Sequence, residues 1–93
     1  MGCSGFIYGL NIASNIIRNN EGKNGLIICT DVYTKFIQKN NRSCRPIFSD
    51  GSCSTIVSSD KKNYIDAFEF GTDGRGALDL SLNEGSKNIY MNG

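Results

Sequence analysis

The sequence predicts an α/β chain, and three observations carry that prediction. Residues 4–19 repeat apolar side chains every three or four positions, as one face of a helix does. Residues 25–30 then form a short unbroken apolar run of strand length. Two further runs of strand type, at 52–57 and 64–70, are each preceded by turn residues. A helix that feeds a buried strand suggests a layered α/β crossover unit.

Each element has its own signal. Phe6, Leu10, Ala13 and Ile17 make the helical stripe, and Ile7 and Ile16 widen it, so a strongly buried helix is expected, with Glu21-Gly22 as a glycine stop. Leu26, Ile27, Ile28 and Cys29, flanked by Asn24 and Asp31, read as a strand covered on both faces in a parallel sheet. Residues 31–46 mix Val32, Tyr33, Phe36 and Ile37 with a polar stretch and close on the only proline, Pro46, which predicts an irregular surface excursion. Asp50-Gly51 and Asp60-Lys-Lys-Asn63 are turns that set 52–57 and 64–70 up as a hairpin. Beyond Gly71-Thr-Asp-Gly74, Leu78, Leu80 and Leu82 alternate with polar residues, and Ile89-Tyr-Met91 is a last apolar patch. No repeat or domain boundary interrupts the chain, and residues 1–93 read as a single partial domain, incomplete at both ends.

Composition excludes several classes of function. A chain of 93 residues buries only about 60–65% of its unfolded surface, so its core is thin. Apolar residues make up 39%, charged residues 20%, and there are 11 glycines, which suits a loop-rich chain. Ten Lys and Arg against nine Asp and Glu leave a net charge of +1, too little field to gather nucleic acid or an anionic membrane. No apolar run approaches the roughly 20 residues that span a bilayer, and the first residues lack the order of a signal peptide. The expectation is a soluble cytoplasmic protein with no nucleic-acid or membrane partner. Cys3, Cys29, Cys44 and Cys53 fit no zinc spacing, and no histidine is present to complete one, so neither a metal nor a disulfide framework is expected.

One cysteine sits where chemistry is possible. Cys3 directly precedes the predicted helix, where unpaired N–H groups and the helix dipole favour negative charge on its sulfur. Gly5 lets a substrate carbonyl approach the helix entrance, and the Cys3 N–H can donate to an oxyanion. By position alone Cys3 reads more readily as a small apolar residue with no role than as a nucleophile. Asp50 and Asp73 each precede glycine and read as turn residues bonding their own backbone, not as an acid–base pair. Neither glycine-bearing turn has a phosphate-cradling context.

The order of motifs decides the matter. Cys-Ser-Gly-Phe-Ile-Tyr-Gly-Leu at 3–10 resembles the nucleophile motif of the β-ketoacyl-acyl-carrier-protein synthase III family, thiolase-fold condensing enzymes. Leu-Ile-Ile-Cys-Thr-Asp at 26–31 resembles the strand after that nucleophile, and Asn-Arg-Ser-Cys at 41–44 the family's Asp-Arg-small-Thr loop. Ile-Phe-Ser-Asp-Gly at 47–51 resembles its Phe-Gly-Asp-Gly, Gly71-Thr-Asp-Gly74 its Gly-Ser-Asp-Gly turn, and Tyr-Met-Asn-Gly at 90–93 its Met-x-Gly stretch. Departures are Asn41 for aspartate, Ser49 for glycine, and Met1-Gly2 for the alanines that normally precede the cysteine.

The resemblance implies part of a thiolase-like layered fold and an acyltransferase of fatty-acid or related lipid biosynthesis. Cys3 would be its catalytic nucleophile, taking an acyl group from acyl-CoA for condensation with malonyl-acyl-carrier protein. Arg42 would stack on the adenine of coenzyme A, and Phe48 and Met91 would line the acyl pocket. The implied partners are acyl-CoA and acyl-carrier protein, with a homodimer as the assembly and no cofactor beyond acyl-CoA as substrate. The family's active-site histidine and asparagine match positions beyond Gly93, so the 93-residue chain alone is expected to be inactive. Other readings of the same residues are another thiolase-fold synthase, an inactive acyl-binding pseudoenzyme, or a self-associating structural fragment.

Overall fold

The apolar repeat ahead of Asn19 forms a single helix, α1 (Gly5–Arg18). The structure, a computed structural model, describes residues 2–19, 21–59, 64–82 and 88–91. Ser4 caps α1 through its carbonyl, which accepts from the N–H of Ile7 at 3.1 Å and of Tyr8 at 3.3 Å. At the other end the Glu21 N–H returns to the Ile16 carbonyl at 3.2 Å, which closes the last turn. The stop therefore comes ahead of Gly22, whose glycine the sequence had suggested for it.

After α1 come β1 (Asn24–Val32), a 3-10 turn at Tyr33–Phe36, β2 (Asp50–Ser58), a second 3-10 turn at Gly74–Gly76, and the short strands β3 (Leu80–Leu82) and β4 (Ile89–Met91). β1 and β2 are hydrogen-bonded neighbours, and β3 and β4 form a second two-stranded sheet. The described residues divide into two compact units, Met1–Cys29 with Ser52–Phe70, and Thr30–Gly51 with Gly71–Gly93.

In the first unit, the Ser59 N–H donates to the Lys23 carbonyl at 3.1 Å, so the start of β1 lies beside the end of β2 and the two strands are antiparallel. α1 covers one face of β1. A β-carbon on Gly25 would sit 3.6 Å from both Ala13 Cβ and Ile17 Cδ1, and one on Gly9 would sit 3.4 Å from Ile27 Cγ2. A β-carbon at either position would make ordinary van der Waals contact, so helix and strand lie at normal packing distance there. Beyond β2, Tyr8 of α1 stacks on Phe70 at 4.3 Å, Phe70 stacks on Phe68, and the Arg18 guanidinium donates to the Ile65 carbonyl.

Three sequence expectations are corrected here. Residues 64–70 form no strand, and β2 pairs with β1 instead of with them; the turn expected at 60–63 lies outside the described residues. β1 is not covered on both faces: its first residues alternate exposed and half-buried, with Leu26 62% and Ile28 63% exposed, because a single helix layer lies on one side. For the same reason α1 buries only Ser14 and Ile17, while Ile12 remains 60% exposed.

In the second unit, the core is Ile37, Cys44 and Ile89, with Tyr33, Phe36, Phe48 and Met91 packed against it. Ile37 and Cys44 come from the stretch expected to be surface excursion, so that stretch supplies two of the three buried residues of this core. Antiparallel pairing of β3 with β4 sets Leu80 opposite Met91, Ser81 opposite Tyr90 and Leu82 opposite Ile89, which brings Ile89 and Met91 to the cluster.

Candidate active site

Cys3 lies in an exposed turn immediately ahead of α1. The turn is closed by the Gly5 N–H, which donates to the Gly2 carbonyl at 3.0 Å. Ser4, next to the cysteine, makes no side-chain cap to the helix. A β-carbon added at Gly5 would meet no atom within 4 Å, so the approach to the helix entrance beside Cys3 is open. An exposed thiol at the positive end of a 14-residue helix is placed to attack an electrophilic carbonyl and to have the resulting charge stabilised. An apolar groove of about 430 Å³ runs between α1 and β1, lined by residues including Ile12, Ala13, Ile16 and Leu26; Cys3 is not among its lining residues.

The remaining candidate residues, Arg42, Phe48 and Met91, belong to the second unit. Arg42 is exposed in a run of turns at residues 42–47. Phe48 and Met91 are half-buried and pack on the same cluster, with Phe48 edge-on to Tyr33 at 5.3 Å. The structure thus brings two of the four candidates together on one apolar cluster, and sets Arg42 on the loop between Asn41 and that cluster's Cys44.

Asn41 organises this loop. Its Oδ1 accepts from the N–H groups of Ser43 at 3.1 Å and Cys44 at 3.0 Å, and its Nδ2 donates to the Ile89 carbonyl at 3.1 Å. The Cys44 thiol, fully buried, points at the same carbonyl at 3.9 Å. The amide accepts on one side and donates on the other, whereas an ionised aspartate, which only accepts, could not make the Ile89 bond. Local asparagine turn chemistry is legible from Asn41-Arg-Ser-Cys44; its partner 48 residues away is not.

The two turn aspartates are each engaged. Asp73 accepts from the backbone N–H of Arg75 at 3.0 Å and pairs with its guanidinium, and the Arg75 side chain holds the carboxyl below its usual range. Asp50 does not bond its own backbone as the sequence suggested. Its two oxygens accept from the Thr34 N–H at 2.9 Å and the Thr34 hydroxyl at 2.8 Å, and the backbone bond is the main cause of its lowered pKa. Among the described residues no group of three or more His, Cys, Asp or Glu could hold a metal ion. No helix among them is long and apolar enough to cross a membrane.

The geometry has close counterparts. The family profile described as 3-oxoacyl-[acyl-carrier-protein (ACP)] synthase III matches residues 1–74. A β-ketoacyl-[acyl-carrier-protein] synthase III of Roseiflexus sp. is 33% identical over 98% of this chain and 32% of its own length. A protein of the same name from Clostridium tetani is 39% identical over 81% of this chain and 22% of its own length. A crystal structure of a 3-oxoacyl-(acyl-carrier-protein) synthase III superimposes with a TM-score of 0.84 at 28% identity, over 100% of this chain and 35% of that one. The chain therefore spans about a third or less of the length of these relatives. Its α/β layering is that of a thiolase-like synthase, and the chain belongs to the 3-oxoacyl-[acyl-carrier-protein] synthase III family.

Proposed function

We propose that this chain is the nucleophile-bearing part of a 3-oxoacyl-acyl-carrier-protein synthase III of fatty-acid synthesis. The Cys3 sulfur attacks the carbonyl carbon of an acyl-CoA thioester, the bond to the CoA sulfur breaks, and CoA leaves as its thiol. Malonyl-acyl-carrier protein then loses its carboxylate as carbon dioxide, and the enolate carbon so formed attacks the acyl carbonyl. The bond to Cys3 breaks, the sulfur takes up a proton from water, and a 3-oxoacyl-carrier protein is released. Covalent capture splits one difficult condensation into two easier steps.

The observation that carries this reading is Cys3 itself, exposed in a turn at the head of α1 with open space at Gly5. Arg42, exposed and loop-borne, suits stacking on the adenine of CoA and pairing with its phosphates. Phe48 and Met91, adjacent on one apolar cluster, suit the wall of an acyl pocket. The sequence contains no histidine, so the histidine that the family uses on the enolate is not among these residues, and the 93-residue chain alone does not complete the condensation. By resemblance the working enzyme is a cytoplasmic homodimer that needs no cofactor. Acetyl-CoA labelled in the acyl group should mark Cys3 in the protein isolated from its own cells, and the C3A variant should take up no label. Label on the wild-type protein at any other residue would refute the assignment.

A second reading, self-association as a structural piece, is favoured by the open apolar residues Ile12, Leu26 and Ile28. A tight dimer in sedimentation that takes no label from acyl-CoA would select it.

A further inference from the structure

The register of β1 against β2 sets two cysteines face to face. The strands are hydrogen-bonded neighbours of nine residues each. The bond from the Ser59 N–H to the Lys23 carbonyl pairs those two residues, and a β-carbon at Gly25 would lie 3.9 Å from the Val57 carbonyl, one step further in the same register. Continuing two residues at a time sets Ile27 opposite Thr55 and Cys29 opposite Cys53. Directly opposed residues of this kind have side chains on one face and Cα atoms about 5.5 Å apart, within the 4.4–6.8 Å that a disulfide spans. All four cysteines are thiols in this structure, with Cys29 half-buried and Cys53 exposed.

We propose that Cys29 and Cys53 form a dithiol site that a small-molecule disulfide of the glutathione class converts to an intramolecular disulfide. Cys53, the exposed member, attacks one sulfur of the small disulfide; that S–S bond breaks, one small thiol leaves with the proton, and a mixed disulfide remains on Cys53. Cys29 then attacks the Cys53 sulfur, the mixed bond breaks, and the second small thiol leaves with the proton of Cys29. Two protein thiols are oxidised, one protein S–S bond forms, and one small disulfide is reduced to two thiols. The other cysteines do not compete for this pairing. Cys44 is fully buried in the second unit's core against the Ile89 carbonyl, and Cys3 lies in the turn ahead of α1, off the ladder. The site is independent of the acyl-transfer reading of Cys3.

The test treats the protein isolated from its own cells with excess oxidised glutathione, alkylates the remaining thiols after unfolding, and maps peptides by mass spectrometry without reduction. The expected result is that Cys29 and Cys53 lose alkylation together and their peptides become joined, while Cys44 stays alkylated. In the C29S variant the mixed disulfide cannot be resolved, so glutathione should be retained on Cys53. Wild-type protein in which the two cysteines stay alkylated, or each carry a separate glutathione, overturns the proposal. So does a C29S variant that retains no more glutathione on Cys53 than the wild type.

Discussion

Asn41 is a single side chain whose chemistry holds a loop to a strand. It makes two bonds to the backbone of its own turn and one to Ile89, partly buried and beside the core residue Cys44. N41A leaves the Ile89 carbonyl and two N–H groups without these partners, so a loss of about 1–3 kcal/mol in denaturant unfolding is expected. Asp50 makes a prediction with a definite sign. Its folded pKa is lowered by Thr34, so the stability it contributes is fully present above the ordinary aspartate value of about 3.9 and is lost as pH falls through the folded value. Melting temperature measured against pH should therefore drop on the acid side in the wild type, and D50N should be flatter there. At this scale the sequence was readable where the partner is near in the chain, as for Asp73 with Arg75. It was unreadable where the partner is distant, as for Asp50 with Thr34 and Asn41 with Ile89.

α1 and β1 meet at Gly9 and Gly25. At Gly25 an alanine would make ordinary contact with Ala13 and Ile17 at 3.6 Å, but the two further methyls of valine would press into the helix. G25V should cost about 1–3 kcal/mol by overpacking, read as a lower midpoint of urea unfolding, whereas G25A should be tolerated. Helical periodicity located α1 well, since a 3.6-residue repeat is a local property. An unbroken apolar run located β1, but it cannot tell a strand covered on both faces from one covered on a single face. The run 64–70 has the aromatic and β-branched composition of a strand in Tyr64, Ile65, Phe68 and Phe70, yet β1 pairs with β2, and strand pairing is set by contacts distant in the chain. Likewise Ile37 and Cys44 looked like loop residues because the strand that covers them, β4, begins at Ile89.

For the molecule as a whole, the open apolar residues are the decisive feature. Within the first unit Ile12, Leu26 and Ile28 are 60–63% exposed, and Ile56 is 74% exposed. A chain that leaves such residues in water gains little from burial, so residues 1–93 expressed alone should melt without a sharp cooperative transition and should associate as concentration rises, and the unfolding midpoints of the N41A, D50N and G25V variants are to be read on the protein isolated from its own cells. Sharp, concentration-independent melting of a monomer would contradict this. Of the candidate site, the position of Cys3 ahead of α1 was legible because its motif is contiguous and its helix is local; Phe48 and Met91 were named only through the family resemblance, and that they share one cluster was not legible, since 43 residues of chain separate them. If Cys3 carries the acyl group between two partners, a single-turnover chase will follow it there and off again. Protein from its own cells, acylated with labelled acetyl-CoA and freed of excess, is mixed with malonyl-acyl-carrier protein. Label on Cys3 should disappear as labelled 3-oxoacyl-carrier protein and carbon dioxide appear in equal amounts. Label that stays on Cys3, or product formed undiminished by the C3A variant, would contradict it.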